Sequence, residues 1–260
     1  MVEFGTYEID RLVNAFNRAS ASVRDGRSRL DQAYTEFVAS ISSAVDARDV
    51  YTAGHSRRVS DDSTAIARRM NLSRREVEIV RIGALLHDVG KIGVPDEVLQ
   101  KSGPLTREEF ALVKQHPSIG KRILEKVEAF RDYVPAVELH HENHDGSGYP
   151  WGLAGEDIPV AARIVHVADA YDAMVTDRPY RKGLAHAAAV EILKANAGSQ
   201  FDPAAVNAFV SCAAPRLTAS IADHESDVET HELRNLADGL AREEARHRAR
   251  GAAVPPAKLS

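Results

Sequence analysis

The sequence predicts an all-α protein, and three observations carry that prediction. Alanine, leucine, glutamate and arginine, all good helix formers, are abundant. Apolar residues recur at three- and four-residue steps through most of the chain. No stretch alternates apolar and polar residues with the period of two that a half-buried strand requires.

The first segment, residues 1–44, reads as one long helix. Ile9, Val13, Phe16, Ser20, Val23, Arg27, Leu30, Tyr34, Phe37 and Ile41 step alternately by four and three, the 3.5-residue repeat of a coiled-coil seam. Ser20 and Arg27 make the seam polar at its middle, as suits a register-setting or signalling helix. A homodimer through this helix is expected, with a signalling protein as a further partner.

Residues 45–211 read as helix after helix. The stretch "SRREVEIVRIGALLHDVGK" opens on Ser73 and Glu76 at capping-box spacing. Val80, Ala84 and His87 then share one stripe, which puts Lys91 one turn further along. "LTREEFALVKQHPSIGKRIL" opens similarly on Thr106 and Glu109, and Pro117 places His116 near a helix end. "EDIPVAARIVHVADAYDAMVTD" reads as a buried helix carrying Asp169 and Asp172. Residues 212–260 form an extension with one expected helix near 227–249, marked by Leu233, Leu236 and Leu240, and a frayed end.

Composition narrows the function. A net charge of -5 over 260 residues disfavours a nucleic-acid polymer or an anionic membrane as partner. An anionic substrate must therefore be held by local positive groups. The single cysteine, Cys212, rules out an internal disulfide and points to a reducing compartment, the cytoplasm. No apolar run approaches the roughly 20 residues of a membrane span.

The chemistry-bearing residues are scattered histidines and carboxylates. His55 sits in "YTAGHSRRV", His87 and Asp88 in "LLHDVGK", His116 in "KQHPSIG", His140 and His141 in "HHENHDGSGYP", and Asp169 in "HVADAYDA". Imidazole and carboxylate donors without thiolate suit Fe, Mn, Zn or Ni. Seven ligands exceed one tetrahedral ion and match two divalent ions that share a bridging carboxylate and a bridging water. His144, His166, His186, His224, His231 and His247 are expected to be ordinary core or surface residues.

Taken together, "RDVYTAGHSRRV", "LLHDVGKIGVPD", "HHENHDGSGYP", "ARIVHVADAYDAMVTDRPYR" and "GSQFDP" resemble the HD-GYP domain, a branch of the HD metal-dependent phosphohydrolase superfamily, over about residues 42–211. The resemblance implies an HD-superfamily helical bundle that hydrolyses cyclic di-GMP to pGpG, GMP or both. It implies that His55, His87, Asp88 and Asp169 hold one metal, Fe or Mn before Zn or Ni. Asp88 would bridge to a second metal completed by His116, His140 and His141. Lys91 would face the phosphate, the Gly148-Tyr149-Pro150 loop would lie by the guanine nucleotide, and Arg178 and Arg181 would grip phosphates and base. Some members carry a glutamate for a third metal where this chain has Tyr51, so two metals are expected.

The expected reaction is attack on phosphorus by a metal-bridged hydroxide, with Lys91 stabilising a non-bridging oxygen. Asp172, three residues after Asp169, reads either as support for a ligand or as a core-edge carboxylate. Gly146 and Gly148 permit a tight turn, and Pro150 fixes its exit so that Tyr149 faces the cavity. Two other readings are a low-turnover cyclic-dinucleotide-binding signalling module and a di-iron oxygenase of the HD superfamily.

Overall fold

The computed structural model describes residues 6–48, 54–177 and 182–212. Among them there is no strand, only isolated bridges between Asp145 and Ala154 and between Ala197 and Phe201. Arg178, Arg181, Tyr51 and the expected helix at 227–249 lie outside the described residues.

Helix α1 (Thr6–Asp46) leads into α2 (His55–Arg69) and α3 (Arg74–Leu86). A 3-10 turn (Val89–Gly93), α4 (Asp96–Leu99), α5 (Arg107–Val113) and α6 (His116–Leu124) follow. After a second 3-10 turn (Glu128–Tyr133) come α7 (Val134–Leu139), α8 (Val160–Val175) and α9 (His186–Ala195). Residues 203–212 are again helical. Both capping boxes form: Ser73 and Glu76 exchange side-chain and backbone bonds at the start of α3, as do Thr106 and Glu109 at α5.

The main core is apolar and joins α2, α3, α8, α9 and the last helical segment through Ile66, Val80, Ile164, Leu193 and Phe209. A second core holds Val38 and Val45 of α1 against Ile82 and Leu86 of α3 and Val137 of α7. This second core divides the expected seam. Tyr34 and Ile41 pack against the chain's own helices, whereas Leu12, Phe16, Val23 and Leu30 are about 70% exposed. The end of α1 therefore belongs to the helical domain, and the boundary at residue 44 is not a break in packing. The side chain of Ile9 falls outside the described residues.

Two local readings change. Helix α3 stops at Leu86, so Lys91 rides on the 3-10 turn and not on a further turn of helix. The turn is closely packed: a Cβ on Gly90 would fall 1.8 Å from the His116 carbonyl oxygen, so this turn lies flush on the start of α6. The "LTREEFALVKQHPSIGKRIL" pattern is likewise two helices, because His116 and Pro117 open a new one.

The end of α1 touches both flanks of the histidine cluster. Asp46 accepts bonds from the Ser56 backbone N–H at 3.3 Å and the Ser56 hydroxyl at 2.7 Å, tying down the first turn of α2 beside His55. Arg48 donates to the carbonyls of Ile92 (2.9 Å) and Val94 (3.3 Å) and to Asp96 Oδ1 (2.6 Å), just past Lys91.

Candidate metal centre

One device recurs in positioning the histidines. His87 and His140 follow the last residue of α3 and of α7, and His116 stands three residues beyond the end of α5. Each ring donates its Nδ1–H to a carbonyl three residues back: Ala84 at 2.7 Å, Val137 at 2.8 Å and Val113 at 2.7 Å. Helix ends leave such carbonyls without intrahelical partners. Using them fixes the tautomer and turns each Nε2 lone pair inward.

The inward nitrogens meet. His116 Nε2 and His140 Nε2 lie 3.3 Å apart, and His55 Nε2 and His87 Nε2 also lie 3.3 Å apart. Two triads emerge, His55–His87–Asp169 and His116–His140–His141, with ligand atoms mutually within 4.8 Å. Asp88 stands between them. Its Oδ2 is 3.3 Å from His87 Nε2, and its Oδ1 is 3.3 Å from His116 Nε2. The structure thus brings all seven expected ligand residues to one place.

Electrostatics distinguish the two triads. Burial, then the neighbouring imidazoles, push His140 and His141 well below the usual histidine range. Burial also lowers His55, but hydrogen bonds to Asp169 and Asp172 outweigh it and hold His55 at about 10. For Asp88 burial acts upward, yet Lys91, His87 and His116 prevail and keep it well below the carboxylate range. Asp169 is held down in the same way, chiefly by its bond to His55.

Of three supporting groups, Asp172 was one of the sequence's candidates, and Arg58 and Glu142 were not legible. Asp172 Oδ2 lies 2.7 Å from His55 Nδ1, so its carboxylate sits against the outer nitrogen of that ring. Arg58, one turn after His55, grips Asp172 through Nε (2.6 Å) and Nη2 (2.9 Å). Glu142, directly after the histidine pair, is buried and accepts N–H bonds from Trp151 (2.6 Å), Gly152 (3.0 Å) and Leu153 (3.1 Å). That closes the loop bearing Tyr149.

The loop itself is tight. Gly146 has φ +80, and a Cβ on Gly148 would lie 2.2 Å from the Asn143 nitrogen. Pro150 follows Tyr149 through a cis bond. The Tyr149 ring stacks on His141 with centroids 4.8 Å apart, and burial pushes its phenol up, so it stays neutral. His144 lies in this turn, donating its backbone N–H to the Gln200 carbonyl. His166 donates Nδ1–H to the Glu142 carbonyl and meets the His141 ring edge-on with centroids 6.3 Å apart, whereas His186 meets the Tyr171 hydroxyl.

The triads open into a cavity of about 370 Å³, within the range of small-ligand sites. His55, Asp88, Lys91, His116, His141 and Asp169 reach it, as do Tyr149, Asp172 and Thr176. Lys91 Nζ lies 2.9 Å from Asp88 Oδ2. Val98, Leu99, Leu105 and Phe110 form an apolar part of the wall.

Comparison with known proteins agrees with this picture. The family described as HD domain matches residues 40–205. The chain is 40% identical over 202 residues to the cyclic di-GMP phosphodiesterase response regulator RpfG of Xanthomonas campestris, covering 77% of this chain and 50% of that protein. It is 39% identical over 175 residues to 3'3'-cGAMP-specific phosphodiesterase 3 of Vibrio cholerae, covering 67% and 38%. The chain spans half or less of the length of these relatives. Among solved structures, Bd1817, a HDG"Y"P protein from Bdellovibrio bacteriovorus, aligns with a TM-score of 0.52 at 26% identity, covering 60% of this chain and 50% of that one.

Proposed function

The chain belongs to the HD-domain family, and from that premise we propose that it is a metal-dependent phosphodiesterase hydrolysing cyclic di-GMP to pGpG, GMP or both. The observation that carries the reading is the meeting of His116 and His140. Both rings donate Nδ1–H to backbone, so both Nε2 atoms present lone pairs to each other at 3.3 Å. Neither can donate to the other, and a shared positive charge relieves the repulsion.

The donor set fits two divalent ions. His55, His87, Asp88 and Asp169 would hold one, and His116, His140, His141 and the other oxygen of Asp88 the second. Imidazole and carboxylate donors favour Fe or Mn, with Zn or Ni as alternatives. Once bound, two such ions neutralise charge developing on a phosphodiester and acidify a water.

The chain's own groups do the rest. Asp88 ties the two halves of the site through its two oxygens. The Lys91 ammonium, in the cavity wall beside Asp88, is placed to bond a non-bridging phosphate oxygen. Tyr149, with Gly148 and Pro150 shaping its loop, stands in the cavity wall near the guanine nucleotide. Arg178 and Arg181, outside the described residues, are assigned the phosphates and base, a task suited to a guanidinium fork. The names of the relatives, for cyclic di-GMP and for 3'3'-cGAMP phosphodiesterases, support a cyclic dinucleotide as substrate. The exposed stripe of α1 supports a homodimer.

Protein loaded anaerobically with Mn or Fe(II) is expected to convert cyclic di-GMP to linear products resolved by chromatography, and Asp88→Asn to abolish turnover. Loaded protein that leaves cyclic di-GMP intact but consumes oxygen with small polyols or phosphonates contradicts the reading in favour of an oxygenase.

A further inference from the structure

We infer that Phe110, on the flap formed by α4 and α5, is the stacking residue for a nucleobase of the substrate. The inference rests on the phosphodiesterase reading above and adds a place for the base.

The flap has no core of its own. Its capping box makes α5 a sound helix locally, yet α5 buries none of its residues, and α4 and α5 pack mainly on each other. Phe110 is 45% exposed and lines the cavity. Core packing therefore does not explain why a large ring stands there. A ring face at the edge of a nucleotide-sized cavity is what sequence-tolerant base stacking uses.

A second observation ties that ring to the site. Lys114, one turn after Phe110, places its ammonium 5.0 Å from the Phe110 centroid and 5.1 Å from the Tyr149 centroid. One cation thus braces two rings, one on the flap and one on the loop after the histidine pair. Tyr149 is in turn stacked on His141, so the position of Phe110 is linked through three contacts to a proposed ligand.

The flap's lysines are engaged within the protein: the Lys114 ammonium lies over the two rings. Lys101 lines the cavity and pairs with Glu109 at 2.6 Å. With Val98, Leu99 and Leu105 beside Phe110, the flap presents an apolar surface, while Lys91 and the ligand cluster form the charged part. A nucleotide divides in the same way, into a charged phosphodiester and a flat, weakly polar base. Phe110 then governs substrate affinity and leaves the bond-breaking groups in place.

The test compares Phe110→Leu, which keeps apolar volume without a ring face, with Phe110→Trp, which keeps the face. In metal-loaded protein, Phe110→Leu is expected to raise the KM for cyclic di-GMP about ten-fold or more, with a far smaller change in kcat, and Phe110→Trp to bring KM back. A cyclic dinucleotide carrying 2-aminopurine, quenched on stacking, should show less quenching with Phe110→Leu than with wild type. If wild type cleaves cyclic di-GMP while Phe110→Leu keeps both KM and quenching, the base wall is overturned and the phosphodiesterase reading stands. If kcat falls together with metal content and Phe110→Trp does not rescue, Phe110 is structural and the inference also fails. If wild type neither cleaves nor quenches a cyclic dinucleotide, the substrate reading itself fails.

Discussion

Asp172 holds His55 from behind: its Oδ2 lies 2.7 Å from His55 Nδ1, while His55 Nε2 faces Asp169 Oδ1 at 3.2 Å. Arg58 grips the same carboxylate with two bonds. A carboxylate on the outer nitrogen of a ligand histidine fixes ring orientation and raises ligand basicity. Asp172→Asn is therefore expected to weaken cation binding roughly 10–100-fold. Chelator competition measures this, and Arg58→Gln should show a smaller loss that Arg58→Lys partly repairs. Equal affinity in wild type and Asp172→Asn contradicts the assignment.

Glu142 closes the Tyr149 loop by accepting three backbone N–H groups through one buried carboxylate. Glu142→Ala leaves these donors without their acceptor, which costs on the order of 3 kcal/mol. Urea denaturation should show the loss, and the KM for cyclic di-GMP should rise because Tyr149 is no longer held. A stability equal to wild type contradicts this account of the loop.

His166, whose ring meets His141 edge-on, supplies a pH signature in stability. Burial lowers its pKa below the ordinary value of about 6.5. The unfolded chain therefore takes up the proton first as pH falls, so the contribution of this group is complete above about 6.5 and declines from there toward its lower folded value. His166→Asn retains a donor near Nδ1 and removes the titration. The stability difference between wild type and His166→Asn, measured in chelator at pH 8 and at pH 5.5, should narrow at the lower pH. A difference independent of pH contradicts a neutral buried His166.

The exposed stripe of α1 predicts self-association. Phe16, Val23 and Leu30 recur every seven residues and are each about 70% exposed. Sedimentation of wild type is expected to give a dimer and of the Phe16→Glu, Val23→Glu double variant a monomer, with metal content unaltered. Identical sedimentation of the two proteins contradicts pairing through this stripe.

Local chemistry was legible in the sequence, and distant contacts were not. The Ser73–Glu76 and Thr106–Glu109 boxes need only a spacing of three, and both form. The seven residues proposed as ligands carried their donor chemistry and local motifs openly. The turn that carries Lys91 beyond α3 was hidden, because Gly90 within it lies against His116, a tertiary approach that periodicity does not encode. Arg58 meets Asp172 across 114 positions, and nothing in "GHSRRV" distinguishes that arginine from its neighbour. The division of the α1 seam was hidden for a related reason: one stripe serves the chain's own core near Tyr34 and Ile41 and leaves Phe16 to Leu30 uncovered.

The two-ion centre is tested most directly by counting bound metal per chain after anaerobic loading with Fe(II) or Mn, in wild type, Asp169→Ala and His141→Ala. The account predicts two ions in wild type and one in each variant, because each substitution removes a donor from one half of the site and leaves the Asp88 side of the other intact. One ion or none in a folded, catalytically active wild type, or two retained in both variants, contradicts it.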